Sequence, residues 1–245
     1  MTRPSFARWL VYASLLAGAI VVIALPVTRA PAFHQYADQR TWLGMPHAGD
    51  VLSNLAFIIA GMWFRRRAQT PLSQAACAGV IAIGGGSAAY HYAPSDALLA
   101  LDWGPIAITL SIVTAAVIED RLGKQAGRTA FALGPLIAIG SVVLWLATGG
   151  THGGMVTPYG VVQALGIALP PLVALAAPGS IPRVPLLVGV LFFALARLCA
   201  ANDQQLLDAV GISGHSLKHV AAAIASAFAL GALTSRASRA SLSSS

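Results

Sequence analysis

Apolar residues run along this chain in long blocks. The blocks fall at 8–28, 49–64, 73–93, 97–118, 129–148, 157–177, 183–201 and 214–235. A membrane-crossing helix needs about 20 mostly apolar residues, so each block is read as a candidate span. The blocks are apolar on every face and lack the alternation of a membrane barrel strand. Ala and Leu dominate them, which suits helices. Pro170 and Pro171 predict a kink in the sixth span. Connections are short. The longest, about 29–48, holds Pro31, His34, Asp38, Arg40 and Pro46. The pattern predicts an all-α polytopic membrane protein. Residues 1–48 form a first span and outer loop, 49–235 a seven-helix membrane domain, and 236–245 a Ser-rich, frayed tail.

Composition agrees. Only 9% of residues are charged and 57% are apolar, with mean hydropathy +0.74. A soluble domain carries roughly 25% charged residues, so a soluble globule and a disordered chain are both excluded. The net charge of +7 does not indicate nucleic-acid binding, because the basic residues are scattered between apolar runs. Cys77 and Cys199 lie inside apolar runs and carry no disulfide message.

Charge sets the orientation. With the N-terminus inside, the inner segments hold Arg3, Arg8, Arg65, Arg66, Arg67, Arg121, Lys124, Arg128, Arg183, Arg236 and Arg239, and the outer ones only Arg29 and Arg40. The positive-inside rule then predicts eight spans with both termini cytoplasmic. Residues 1–30 also resemble a signal peptide, but their apolar run exceeds the usual 7–15 residues, so a retained helix is expected. In a bacterial cell this is an inner-membrane protein.

Ionisable side chains within spans are costly and mark function by default. Here they are His91, Asp102, Arg197, His215, Lys218 and His219. His91 closes the third span, Asp102 lies one turn into the fourth, and His215 and His219 open the eighth. All four fall in the outer half of the membrane. His215 and His219 are i and i+4, so both imidazoles share one helix face. With His91 they make a plausible three-His site with an open fourth position, the pattern of catalytic zinc. The bland alternative, each His bonded to a backbone carbonyl at the interface, is weakened by three of them at one depth.

A soluble zinc peptidase has Glu after the first His of such a pair as general base. Here that position is Ser216, which leaves Asp102 as the only acid well inside the membrane. A carboxylate within reach of an acidified water can take its proton and pass it to a leaving group. Ser87 is one turn before His91. It either serves an oxyanion or water, or bonds back to the Ile83 carbonyl.

Gly-Ser-Ala-Ala-Tyr-His at 86–91, Leu-Asp-Trp-Gly-Pro-Ile at 101–106 and Gly-His-Ser-Leu-Lys-His at 214–219 resemble the three signature segments of the alkaline ceramidase family. Asp50-Val-Leu-Ser-Asn-Leu at 50–55 is similar to its first-helix segment. The resemblance spans 46–235, in the family's order, and suggests a compact bacterial relative. It implies a seven-helix core formed by spans two to eight, with the first span an addition. It also implies zinc on His91, His215 and His219, assisted by Ser87 and Asp102, and hydrolysis of a ceramide-like lipid amide to a long-chain base and a fatty acid. The wider group also holds adiponectin-type receptors. Eukaryotic members bind calcium through an acidic cluster near the first core helix. Here His47 stands where an acid is expected and Asp50 alone remains, so no calcium site is expected. The family often has a charged residue after the catalytic Asp. Here it is Trp103, which either lines the lipid cavity or sits in an aromatic belt.

Trp103, Tyr90 and Lys218 are candidate substrate contacts, although Lys218 is read as pointing to another face and snorkelling to the interface. Asn54 is expected to bond between helices, and Gly84–Gly86 to permit close helix approach. Arg197 is expected to pair with Asp203 or Asp208, and His34, His47 and His152 to be solvated. Arg65–Arg67 reads as an inner anchor. The leading expectation is a membrane zinc amidase whose partner is a bilayer lipid, with its site near the outer, periplasmic face. A receptor with a structural zinc has no use for Asp102. A transporter would show internal repeats or midplane charges on broken helices, and neither is present.

Overall fold

The computed structural model describes residues 2–28 and 34–242, with side chains described as far as Ser235. Among the described residues ten α-helices follow in order: α1 (Arg3–Ala24), α2 (Ala48–Leu52), α3 (Leu55–Arg65), α4 (Pro71–Tyr92), α5 (Asp96–Leu122), α6 (Lys124–Ala147), α7 (Thr157–Ala176), α8 (Arg183–Ala201), α9 (Asp203–Val210) and α10 (Gly214–Leu242). Among the described residues there is no strand, only isolated bridges at Thr28–Met155 and Trp42–Met45. Helices α1, α4, α5, α6, α7, α8 and α10 are each long and apolar enough to cross a membrane. This all-helical architecture is compatible with an integral, multi-pass membrane protein. Side chains such as Leu136 and Ile137 on α6, and Val184, Leu191 and Leu198 on α8, face outward.

The predicted second span, 49–64, is not one helix. It is divided into α2 and α3 at Ser53 and Asn54. The Ser53 hydroxyl and the Asn54 amide both donate to the Asp50 carbonyl, at 3.0 and 2.8 Å. Such side chains offer the backbone local partners that compete with the helix ladder. Asn54 therefore bonds inside its own segment rather than across to another helix. The other long helices begin and end near their predicted bounds. At α4 the sequence Thr70-Pro71-Leu72-Ser73 makes a capping box with Pro at the first helical turn. Between α5 and α6 the whole connection is Gly123, whose φ of +100° suits glycine. Helix α10 continues to Leu242, through most of the expected tail, while residues 243–245 lie outside those described.

Helix contacts run from α3 through α4, α5, α6, α7 and α8 to α10, and close from α10 back to α3. α1 packs outside this ring, mainly on α7, with Gly18 set against Val161 and Leu165. Thr157 also ties the end of α1 to the start of α7, through Leu25 and Val27. The end of α4 and the starts of α2, α5 and α10 thus meet at one end of the bundle. Arg65–Arg67, Lys124 and Arg183 lie at the ends of helices that face the other way.

Candidate metal centre

Pro94 follows the end of α4, so His91 sits in its last turn. Ser95 caps α5, accepting from the Leu98 amide at 3.3 Å, and fixes Asp102 less than two turns in. Ser213 lies just before α10 and its Oγ accepts from the Ser216 amide at 2.9 Å. The Ser213 and Ser216 hydroxyls both donate to one Asp50 oxygen at 2.7 Å, so a carboxylate sits at this helix N-terminus, where negative charge is favoured. Asp203 Oδ1 accepts from the His215 amide at 2.8 Å. A Cβ at Gly214 would collide with the Cys199 carbonyl, so glycine is what lets α10 start this close to α8.

These starts bring His91, His215 and His219 together. One nitrogen from each lies within 4.8 Å of the others, and the ring centroids are 4.7–4.9 Å apart. Two nitrogens at about 2.0–2.1 Å from one ion are no more than about 4 Å apart, so closing on a metal takes only a small ring rotation. Both nitrogens of His91 and Nε2 of His219 are buried without a hydrogen-bond partner. Buried polar atoms are normally satisfied, and an ion among the three rings would satisfy one nitrogen of His91 and Nε2 of His219. The residues therefore fit a metal.

The remaining nitrogen of His219 is held. Its Nδ1 lies 2.8 Å from Ser53 Oγ. With a proton on Nδ1, His219 donates to Ser53, and Ser53 donates to the Asp50 carbonyl, leaving Nε2 for an ion. Outer hydrogen bonds of this kind fix the tautomer and orientation of a ligating imidazole.

Ser87 and Asp102 are both buried and lie close enough to interact. Asp102 Oδ1 has no hydrogen-bond partner. The helices carrying this pair approach closely because residue 86 is glycine. A Cβ there would run into the Leu101 carbonyl. At Gly84 it would meet the Asn54 carbonyl at 2.9 Å, whereas Gly85 faces open space.

Three expectations need correction. Lys218 does not point away from the site: its Nζ lies 2.7 Å from His215 Nε2, one turn back on the same helix. It also lies near enough to Asp102 for the two charges to attract. A neutral imidazole has one lone pair, so binding a metal through His215 requires the ammonium to give up this contact. Second, two of the three outer-loop histidines are not simply solvated. His34 bonds Tyr90 at 3.0 Å and Asp96 at 3.2 Å, and His47 bonds the Asp38 carbonyl at 2.9 Å. His152 is exposed, as expected. Third, Arg197 forms no ion pair with Asp203 or Asp208 among the described residues. Asp203 instead caps α10 and accepts from the Ala37 amide at 3.2 Å.

Nothing in the sequence pattern points to Tyr36. This loop residue is buried, with its ring edge-on to His91 at 4.7 Å and to His215 at 5.2 Å. Burial pushes its phenol pKa up, so it stays neutral. The bonds of His34, Ala37 and His47 fold its loop over the histidines as a roof. Asp38 braces the roof, with Arg40 engaging both its oxygens at 2.7 Å. The Arg40 guanidinium holds the Asp38 carboxyl below the usual carboxylate range. Asp38 is thus already neutralised by an arginine, whereas Asp50 Oδ2, like Asp102 Oδ1, is buried and unpartnered. Trp103, beside Asp102, stacks on Tyr159 at 4.3 Å and tilts against Trp145 at 4.8 Å, so it forms part of an aromatic wall inside the bundle.

No known family profile and no curated protein matches this chain.

Proposed function

We propose that this chain is an integral-membrane, zinc-dependent amide hydrolase acting on ceramide-like N-acyl lipids. The observation that carries the proposal is the convergence of His91, His215 and His219 on one point, with a buried, unpartnered Asp102 oxygen near the start of α5, at the same end of the bundle. The resemblance of residues 86–91, 101–106 and 214–219 to alkaline ceramidases supplies the substrate class. α2 and α3 together then make one broken crossing, giving eight crossings and cytoplasmic termini. The basic residues at the opposite helix ends support that orientation, which puts the histidines near the outer, periplasmic face.

Zinc, when held by the three imidazoles, supplies Lewis acidity that brings the pKa of a water close to neutrality. Asp102 Oδ1 accepts the proton of the attacking water and delivers it to the departing amine nitrogen. The Ser87 hydroxyl, donating to the Asp102 carboxyl, orients it for this transfer. Lys218, once turned from His215, places its ammonium beside Asp102 and keeps the carboxylate charged. Tyr36 and its loop shut the aqueous side, so a lipid reaches the histidines sideways from the bilayer.

The test is cleavage of a ceramide panel by the protein in detergent, against Asp102→Asn. The wild type should release long-chain base. The variant should keep its metal and lose at least about 100-fold in rate. Cleavage of a different lipid amide or ester alone would keep the chemistry and refute the substrate. Normal rates in Asp102→Asn would refute the role of Asp102.

A further inference from the structure

An apolar groove of about 350 Å³ runs between α3 and α10 on the outer side of the bundle. Ala56 and Ala60 on α3, and Ala223 and Ala227 on α10, are each spaced i and i+4. These short side chains form the floor, and Ile59, Trp63 and Ile224 form the walls. A second groove of about 280 Å³ continues it, sharing Phe64 and Ala227 and ending at Pro185 and Gly231. From Val220 to Gly231 the path is eleven residues of helix. At 1.5 Å per residue that is about 16 Å, close to half of a hydrocarbon core about 30 Å thick.

The groove is not capped by the same chemistry at both ends. Its far end, away from the histidines, opens beside Arg65, Arg66 and Arg67, all exposed, with Arg183 at the nearby start of α8. Trp63 joins the two features. It lines the groove, and the Arg67 guanidinium lies 5.2 Å from its ring centroid. The geometry points to a bound phospholipid with a negatively charged headgroup, one acyl chain lying in the α3–α10 groove and its phosphate facing Arg65–Arg67. Lipid tails alone would fill any outward groove, but a basic cluster at its mouth selects for anionic headgroups. The headgroup lies at the opposite end of the bundle from His219, so this lipid is a resident one and not the molecule cleaved. The inference does not depend on the hydrolase reading.

Native mass spectrometry of the full chain, released from bilayer discs of equal phosphatidylglycerol and phosphatidylcholine, tests it. The wild type should retain about one phosphatidylglycerol, preferred about tenfold. Ala60→Phe/Ala227→Phe fills the groove while keeping every charge, and should lose the retained lipid. Arg65→Gln/Arg67→Gln should keep a lipid but lose the preference. Metal content should be unchanged in both, which also checks that they fold. Absence of preference in the wild type, or undiminished phosphatidylglycerol retention in the groove-filled protein, would overturn the proposal.

Discussion

Ser53 Oγ and His219 Nδ1 lie 2.8 Å apart, joining a break in one helix to a candidate metal ligand on another. The relation is one of orientation. Ser53 is free to accept from His219 because its own proton goes to the Asp50 carbonyl, and that donation belongs to the break between α2 and α3. Loss of an outer partner of a metal-bound histidine typically costs 10–100-fold in metal affinity. Ser53→Ala should weaken zinc binding by about that factor, measured by competition with a chromogenic chelator. Thermal stability of the metal-free protein should change little.

Lys218→Met should act in the opposite direction. In the metal-free protein the ammonium donates to His215 Nε2, and a metal must displace it. Methionine removes this competitor and a repelling charge. Zinc affinity should rise about tenfold or more, read by the same competition, since even one charge-assisted hydrogen bond contributes roughly 1.5–3 kcal/mol. Equal or weaker affinity would mean that Lys218 does not compete for His215.

Gly86 and its neighbour make a matched pair of substitutions. A methyl group at 86 meets the Leu101 carbonyl, which is backbone and cannot swing aside. Gly86→Ala should therefore destabilise by about 1–3 kcal/mol, as overpacking does, and should separate Ser87 from Asp102. Gly85→Ala meets nothing within 4 Å and removes a helical glycine, so it should be neutral or slightly stabilising. Thermal melts in one detergent compare the two directly.

Asp38 gives the pH dependence of the roof. Its carboxyl titrates lower in the folded protein than in the unfolded chain, chiefly through Arg40. The stabilisation it contributes is therefore fully present above the unfolded value of about 3.9 and is lost as pH falls through the lower folded value. Melting of wild type and Asp38→Asn should differ by a constant amount from about pH 7 to 5 and converge below about pH 4. A difference that changed between pH 7 and 5 would place another group in control.

The long helices were legible because segments apolar enough to cross a membrane write themselves as unbroken runs, and that signal needs no tertiary information. The same property hid the break at Ser53. Asp50-Val-Leu-Ser-Asn-Leu keeps a high average hydropathy while its polar side chains take over local backbone bonds. His91, His215 and His219 could be placed together because helix period and span parity fix depth and face. Tyr36 could not, because no periodicity governs where a loop residue goes. Its position follows from bonds of His34, Ala37 and His47 to distant segments. Lys218 was misread for a related reason. At i+3 from His215 it is on a neighbouring face, but a four-carbon stem reaches back one turn.

The hydrolase proposal stands on His91, His215 and His219, from α4 and α10, holding one zinc ion. Zinc analysis with K-edge X-ray absorption on the purified wild type and His91→Ala tests it most directly. About one zinc per wild-type chain is expected, bound by nitrogen and oxygen at about 2.0–2.1 Å with no sulfur, and little or none in the variant. A wild-type chain that takes up no zinc, or a His91→Ala protein that keeps a full equivalent, would contradict it.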